Sequence, residues 1–282
     1  MANAVAVKKN TGIATYLSND AVKKNIMSVV GEKNTTRFIS SVVSAVQTNP
    51  TLAQCSNGSI LSAALLGEAL QLTPSPQLGQ YYMVPYDNTK AGVKEAQFQI
   101  GYKGYIQLAI RSGQYRKITV SDIKDGEVVS FNPITEDFDL VPYTDTKKRV
   151  TLPTVGYYAM FELMNGFRKE IFWTKEMMEH HAETYSSGYR NDIRKKTKYT
   201  FWSKDFDAMA KKTLIRQLIS KWGIMSVEMT RAFENDMAVI DETGKAHYVD
   251  NQQDTEEIVE AEITENANTV DFDEVVESEV VE

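Results

Sequence analysis

The chemistry open to this chain rests on two stretches in which cations and aromatic rings are spaced for a helix. The first is IGYKGYIQLAIRSGQ, residues 100–114, where Gly101 and Gly104 bracket Tyr102 and Lys103 at what reads as a strand entering a helix. Glycines at such a turn let another group come close, and the free amides of a helix start can meet a phosphate. On a helical wheel Tyr102, Tyr105, Ile106, Ala109 and Gly113 share one face, while Lys103, Gln107 and Arg111 share the other. An ordinary amphipathic helix with a solvated cationic side fits the same spacing. The second stretch is YTFWSKDFDAMAKKTLIRQLISKW, residues 199–222. Trp202, Phe206 and Met209 fall on one face and Leu214, Leu218 and Trp222 nearly opposite, which predicts a helix contacted on two sides or bent midway. Lys211, Lys212 and Arg216 then form a row fixed by packing, with Lys198 and Lys221 at its ends, suited to a phosphate backbone. The other reading is of lysines that lie along a core helix with their charged heads in water. The interleaved rings Tyr81, Tyr82, Tyr102, Tyr105, Tyr185, Tyr189, Tyr199 and Trp202 suit either base stacking or half-buried packing.

Hydrolytic chemistry finds weaker support. No phosphate loop of the G-x-x-x-x-G-K-[ST] type occurs; GEKNTT at Gly31 lacks the second glycine and the lysine, so no ATP-driven step is expected. A metal nuclease is the enzymatic rival, because Asp122-Ile123-Lys124 and Asp145-Thr146-Lys147 fit an acid-x-Lys pattern, with Asp137 and Asp139 upstream as metal ligands. Two such triplets are no more than this composition gives by chance. His180, His181 and His247 contain no H-E-x-x-H, and adjacent helix residues point about 100° apart, so zinc chemistry is not expected.

Charge placement sharpens the reading. The net charge is −7, but residues 251–282 hold twelve Asp and Glu and no Lys or Arg, which leaves +5 for the body. Ten Lys and Arg against three Asp between Ser186 and Trp222 make that segment +7. A basic segment followed by an acidic tail points to a polyanionic partner. The single cysteine, Cys55, excludes an internal disulfide framework and suits a reducing compartment. No signal peptide and no run of roughly 18 to 20 apolar residues is present, so a soluble, cytoplasmic protein is expected.

These residues need a scaffold, and the periodicities supply an α+β one: a mostly antiparallel set of strands and hairpins flanked by helices, with one core. Ser18 or Asn19 can cap a helix through Val30, Thr35 or Thr36 one through Gln47, and Ser59 the apolar run LSAALLGEALQL, expected to be buried. QYYMVPY and EAQFQI read as a hairpin whose loop contains Asp87, Asn88 and Gly92. A helix from about Tyr102 to Arg111 follows, then strands at KITVSDI, EVVSF, FDLVPY, VGYYAMFEL and RKEIFW, the last two joined at Asn165-Gly166. Helices resume at Thr174, from Tyr199 to Trp222, and from Ser226 to Glu234. Residues 1–48 form an N-terminal helical region suited to subunit contacts, 49–238 the core, and 239–282 an acidic tail expected to be disordered.

Three blocks carry a resemblance: GEALQLTPSPQLGQYYMVPY, QFQIGYKGYIQLAIRSGQ and WSKDFDAMAKKTLIRQL. Between about Asn49 and Phe233 the chain resembles the RecT single-strand annealing proteins of phages and prophages. The resemblance implies an ATP-independent recombinase of the bacterial cytoplasm that binds single-stranded DNA, anneals it to its complement and assembles into rings or helical filaments. It implies no cofactor. It also implies a companion 5′-to-3′ exonuclease, and the acidic tail suits a host single-stranded DNA-binding protein as a further partner. Carried residue by residue, the DNA-binding set is Gly101, Tyr102, Lys103, Gly104, Tyr105 and Arg111 in one block, and Trp202, Lys211, Lys212 and Arg216 in the other, with Lys198 and Lys221 alongside. A passive single-strand binder and a metal nuclease are the alternatives.

Overall fold

A computed structural model describes residues 12–88, 92–241 and 245–248. Four helices open the chain: α1 (Ile13–Leu17), α2 (Asp20–Val30), α3 (Glu32–Thr48) and, after a 3₁₀ turn at Leu52–Gln54, α4 (Asn57–Ala69). Asn19 caps α2 as expected. The caps of the next two helices shift upstream. Gly31 precedes α3, so Thr35 lies inside the helix, and Ser56 rather than Ser59 accepts the capping bond of α4. Ser59 instead donates back to the Ser56 carbonyl and accepts the Ala96 amide, tying α4 to the neighbouring strand. As its all-round apolar sequence predicts, α4 buries Ile60, Leu61, Ala63, Ala64 and Leu66, and Gly67 meets the Tyr81 ring where a Cβ would have no room.

The first hairpin, β1 (Tyr81–Asn88) and β2 (Val93–Ile100), pairs Tyr81 with Ile100 through Asn88 with Val93, so Asp87 and Asn88 belong to the strand and not to its loop. Strand β8 (Ala238–Ile240) adds to β2, and β9 (Ala246–Tyr248) adds to β8, giving a four-stranded antiparallel sheet. The folded body thus reaches Tyr248, ten residues beyond the boundary expected at 238. The tail expected to be disordered falls, from residue 249 on, outside the described residues.

From β2 the chain turns into α5 (Tyr102–Arg111) and a second sheet, order β3-β6-β7, made of β3 (Tyr115–Lys124), β6 (Thr154–Leu163) and β7 (Arg168–Thr174). A separate hairpin, β4 (Val128–Asn132) and β5 (Asp137–Leu140), lays Phe131 and Phe138 against Phe172, and a short α6 (Thr146–Thr151) leads back to β6. The helices α7 (Lys175–Tyr185), α8 (Ser187–Lys195), α9 (Phe201–Lys204), α10 (Phe206–Trp222) and α11 (Val227–Asn235) complete the body. Helix α10 is the centre of it. It packs on β6, β3 and β7 and on α5, and it buries Ala210, Leu214, Ile215, Leu218 and Ile219, so the two-sided contact expected from its split apolar faces is met. The helix expected from Tyr199 to Trp222 is interrupted not midway but near its start, at Asp205, whose non-helical backbone ends α9 and whose side chain accepts the Ala208 amide to start α10.

Candidate nucleic-acid interface

The turn at Gly101 owes its glycines to packing. A Cβ on Gly101 would stand 2.2 Å from the Gly79 carbonyl oxygen, and one on Gly104 2.1 Å from that of Gln80. The Gly101 amide donates to the Gln80 carbonyl at 2.9 Å. The two glycines therefore let α5 sit directly on the 79–80 backbone, a contact within the protein rather than with phosphate. Lys103 stays exposed beside Gly79, and Tyr102 is half-buried. Tyr105 is fully buried, edge-on to Phe233 at 4.9 Å, which removes it as a stacking platform. The Arg111 guanidinium donates to the carbonyls of Leu70 and Gln71, at the end of α4, where a cation suits the helix dipole.

The cations of α10 are likewise turned to the protein. The buried Asp236 carboxylate accepts from Lys212 at 2.8 Å, Arg216 at 3.4 Å, the Tyr105 hydroxyl at 2.9 Å and the Ile100 amide at 2.9 Å. One acid thus joins α10 to the β2–α5 turn. Lys212 is 5% exposed, and burial lowers its pKa against the opposing pull of Asp236. Arg216 also lies over the Phe233 ring at 5.2 Å. Lys211 pairs with Asp122 at 2.8 Å. Burial alone would raise the Asp122 pKa, but bonds from Lys124 and Lys211 hold it well below the usual carboxylate range. Where the sequence suggested a row facing phosphate, the structure places Lys211, Lys212 and Arg216 against acids of the protein, stapling α10 to β3 and to the α5 turn. Trp202 is buried against Phe206 at 5.2 Å. Lys221 is exposed in the last turn of α10.

What faces solvent is the loop between α8 and α9. Asp192, itself buried, accepts from the Thr197 hydroxyl at 2.6 Å, the amides of Tyr199 and Thr200 at 3.0 and 2.8 Å, and the hydroxyls of Thr200 and Ser203 at 2.8 Å each. Burial would raise its pKa, yet these bonds depress it far below normal, so it is ionised at any working pH. The staple fixes the loop with Lys196 in the left-handed region, φ 53°, and with Lys195, Lys196, Lys198 and Tyr199 exposed. Among the described residues, Lys103, Lys195, Lys196 and Lys198 have no acid within ion-pair distance. Sequence reasoning counted Asp192 only as a charge against the basic run; the signal was the row of hydroxyls that follows it, Thr197, Thr200 and Ser203.

Helix α9 divides two cavities. On one side is a groove of about 510 Å³ lined by Tyr189, Trp202, Phe206, Lys196 and Lys198. On the other, Tyr82, Tyr102 and Phe201 edge a crevice of about 60 Å³, with Lys204 5.8 Å over the Phe201 ring. Cations and rings thus run from Lys103 across α9 to the stapled loop.

The nuclease ligands do not converge. Asp122 is spent on two lysines, Asp145 caps α6, and Asp137 and Asp139 lie exposed on β5. Among the described residues no three His, Cys, Asp or Glu lie close enough to hold an ion. His181 sits between Trp173 and Tyr185, at 5.4 and 4.6 Å, and His247 pairs with Asp241.

The RecT family profile matches residues 36–259, most of the chain and all of the interface just described. The chain belongs to the RecT family. A Bacillus subtilis (strain 168) relative, "Uncharacterized protein YqaK", is 38% identical over 246 residues, 87% of this chain and 78% of that protein. "Protein RecT" of Escherichia coli (strain K12) is 28% identical over 236 residues, 83% of each. RecT family membership carries a role in single-strand annealing during recombination, with binding of single-stranded DNA and oligomerisation as parts of it. No helix among the described residues is long and apolar enough to cross a membrane.

Proposed function

We propose that this RecT family chain anneals single-stranded DNA without ATP, holding the strand along the surface from Lys103 to the loop of Lys195, Lys196 and Lys198. One observation carries the reading: Lys195, Lys196 and Lys198, at the end of α8 and on the loop that Asp192 holds in place, are exposed and have no acid within ion-pair distance among the described residues, whereas Lys211 and Lys212 of α10 are paired with Asp122 and Asp236. Annealing is downhill, because each stacked base-pair step contributes about 1.4 kcal/mol. The protein's work is then to offset phosphate repulsion and keep base edges free, which requires neither nucleophile nor fuel. Residues 1–48 supply subunit contacts, the acidic stretch from 251 keeps the assembly soluble, and a 5′-to-3′ exonuclease in the bacterial cytoplasm supplies the strand.

The test mixes two complementary labelled strands with the protein in EDTA and no nucleotide. Accelerated pairing is expected, and it should fall to the uncatalysed rate when Lys195, Lys196 and Lys198 are all changed to Ala. Binding without acceleration would leave a passive single-strand binder; degradation that returns with a divalent metal would reveal a nuclease.

A further inference from the structure

The 510 Å³ groove beside α9 is larger than a track for phosphates needs, and both aromatic rings and lysines line it. Its volume lies within the roughly 300–1,000 Å³ of small-ligand sites, and it is open rather than enclosed. Three rings form one wall in mutual contact: Tyr189 to Trp202 at 6.1 Å, Tyr189 to Phe206 at 6.2 Å and Trp202 to Phe206 at 5.2 Å. All three line the groove; Trp202 is buried, whereas Tyr189 and Phe206 are part-exposed and offer apolar surface there. The opposite rim is the stapled loop, with exposed Lys196 and Lys198. The acids that also line the groove are engaged elsewhere. Asp192 is saturated by the loop, Asp207 accepts the Tyr157 hydroxyl at 2.6 Å, and Glu179 faces Lys175 at 3.9 Å. An apolar ring wall and a cationic rim with no ion-pair partner among the described residues, a few residues apart in sequence, match the two ends of a nucleotide: a flat base and a phosphate.

We propose that this groove takes one unstacked nucleotide of the bound strand, its base against Tyr189 and Phe206 and its phosphate at Lys196 and Lys198. The inference rests on the DNA-binding reading above and adds a base-recognition site to it. Base–ring stacking tolerates any sequence, since every base has a flat face, as annealing of arbitrary strands demands. The groove is open, so the pairing edge of the held base stays within reach of an incoming complement.

The experiment compares a dye-labelled oligo-dT with an abasic strand of equal length, which keeps the phosphates and lacks the bases, in binding titrations against the full chain. Tyr189→Ala should weaken oligo-dT by about fivefold or more and leave the abasic strand unchanged, whereas Tyr189→Phe should leave both unchanged. The unchanged abasic affinity also shows that the variant is folded. Equal weakening of both strands, or of neither, overturns the groove site while leaving the DNA-binding reading intact. Failure of the unaltered chain to bind either strand overturns both. A second measurement needs no variant: a 5-iododeoxyuridine strand irradiated on the unaltered protein should cross-link at Tyr189 or Phe206, and cross-links confined to other segments overturn the site.

Discussion

Changing Lys212 to Met separates the two roles that a family-block lysine can have. Lys212 and Asp236 are buried, their side chains 6% and 0% exposed, so removing the ammonium leaves a carboxylate without its closest cation. Breaking a buried pair from one side costs about 3–5 kcal/mol. Arg216, the Tyr105 hydroxyl and the Ile100 amide still face Asp236, which places the expected loss near the lower end, about 3 kcal/mol. That is a large part of the roughly 5–15 kcal/mol that holds a domain together. Denaturant unfolding should therefore show a clearly lower midpoint. The salt dependence of single-strand binding should not change, because each phosphate-neutralising cation contributes about 0.7 to the slope of log affinity against log salt and Lys212 contributes none. Lys196→Ala combined with Lys198→Ala should do the reverse, flattening the slope by about 1.4 with the unfolding midpoint unmoved. A Lys212→Met protein of unaltered stability whose salt slope drops by about 0.7 would refute the assignment of Lys212 to the core.

Two further outcomes follow from the same geometry. Burial, with Arg216 and His180 nearby, lowers the His181 pKa from 6.5 to about 4, so the unfolded chain takes up a proton that the folded chain refuses. Stability should be level above pH 6.5 and fall as pH drops from 6.5 toward 4, by about 3 kcal/mol in all; urea midpoints across that range should show this, and His181→Gln should remove it. Gly104→Ala drives a methyl into the Gln80 carbonyl and should lower the thermal midpoint by several degrees in calorimetry, whereas Gly12→Ala, with open space around it, should not.

The elements were legible where a local signal decides them. The period of α5, the Thr174 and Ser226 caps and the buried character of α4 each depend on residues within a few positions of one another. The direction of the α10 cations was not legible. Their spacing is the same whether they face phosphate or acid, and their partners Asp122 and Asp236 come from β3 and from the far end of α11. The packing of the 101–104 turn was not legible for a related reason: G-x-x-G records that something approaches closely, and only the fold shows that the backbone of Gly79 and Gln80 does so. Composition alone marks the basic run that contains Lys198, whereas Asp192, a lone acid among cations, looks like dilution.

The Asp192 staple bears on how quickly a strand is captured. A lysine-rich loop left to itself samples many shapes, and a ligand must freeze it, at a cost that weakens binding. Here the freezing is completed when the chain folds. On the proposed reading the backbone that carries the lysines is already in position, so encounter would be governed by how fast a polyanion drifts into their field and not by any search the loop must make after it arrives.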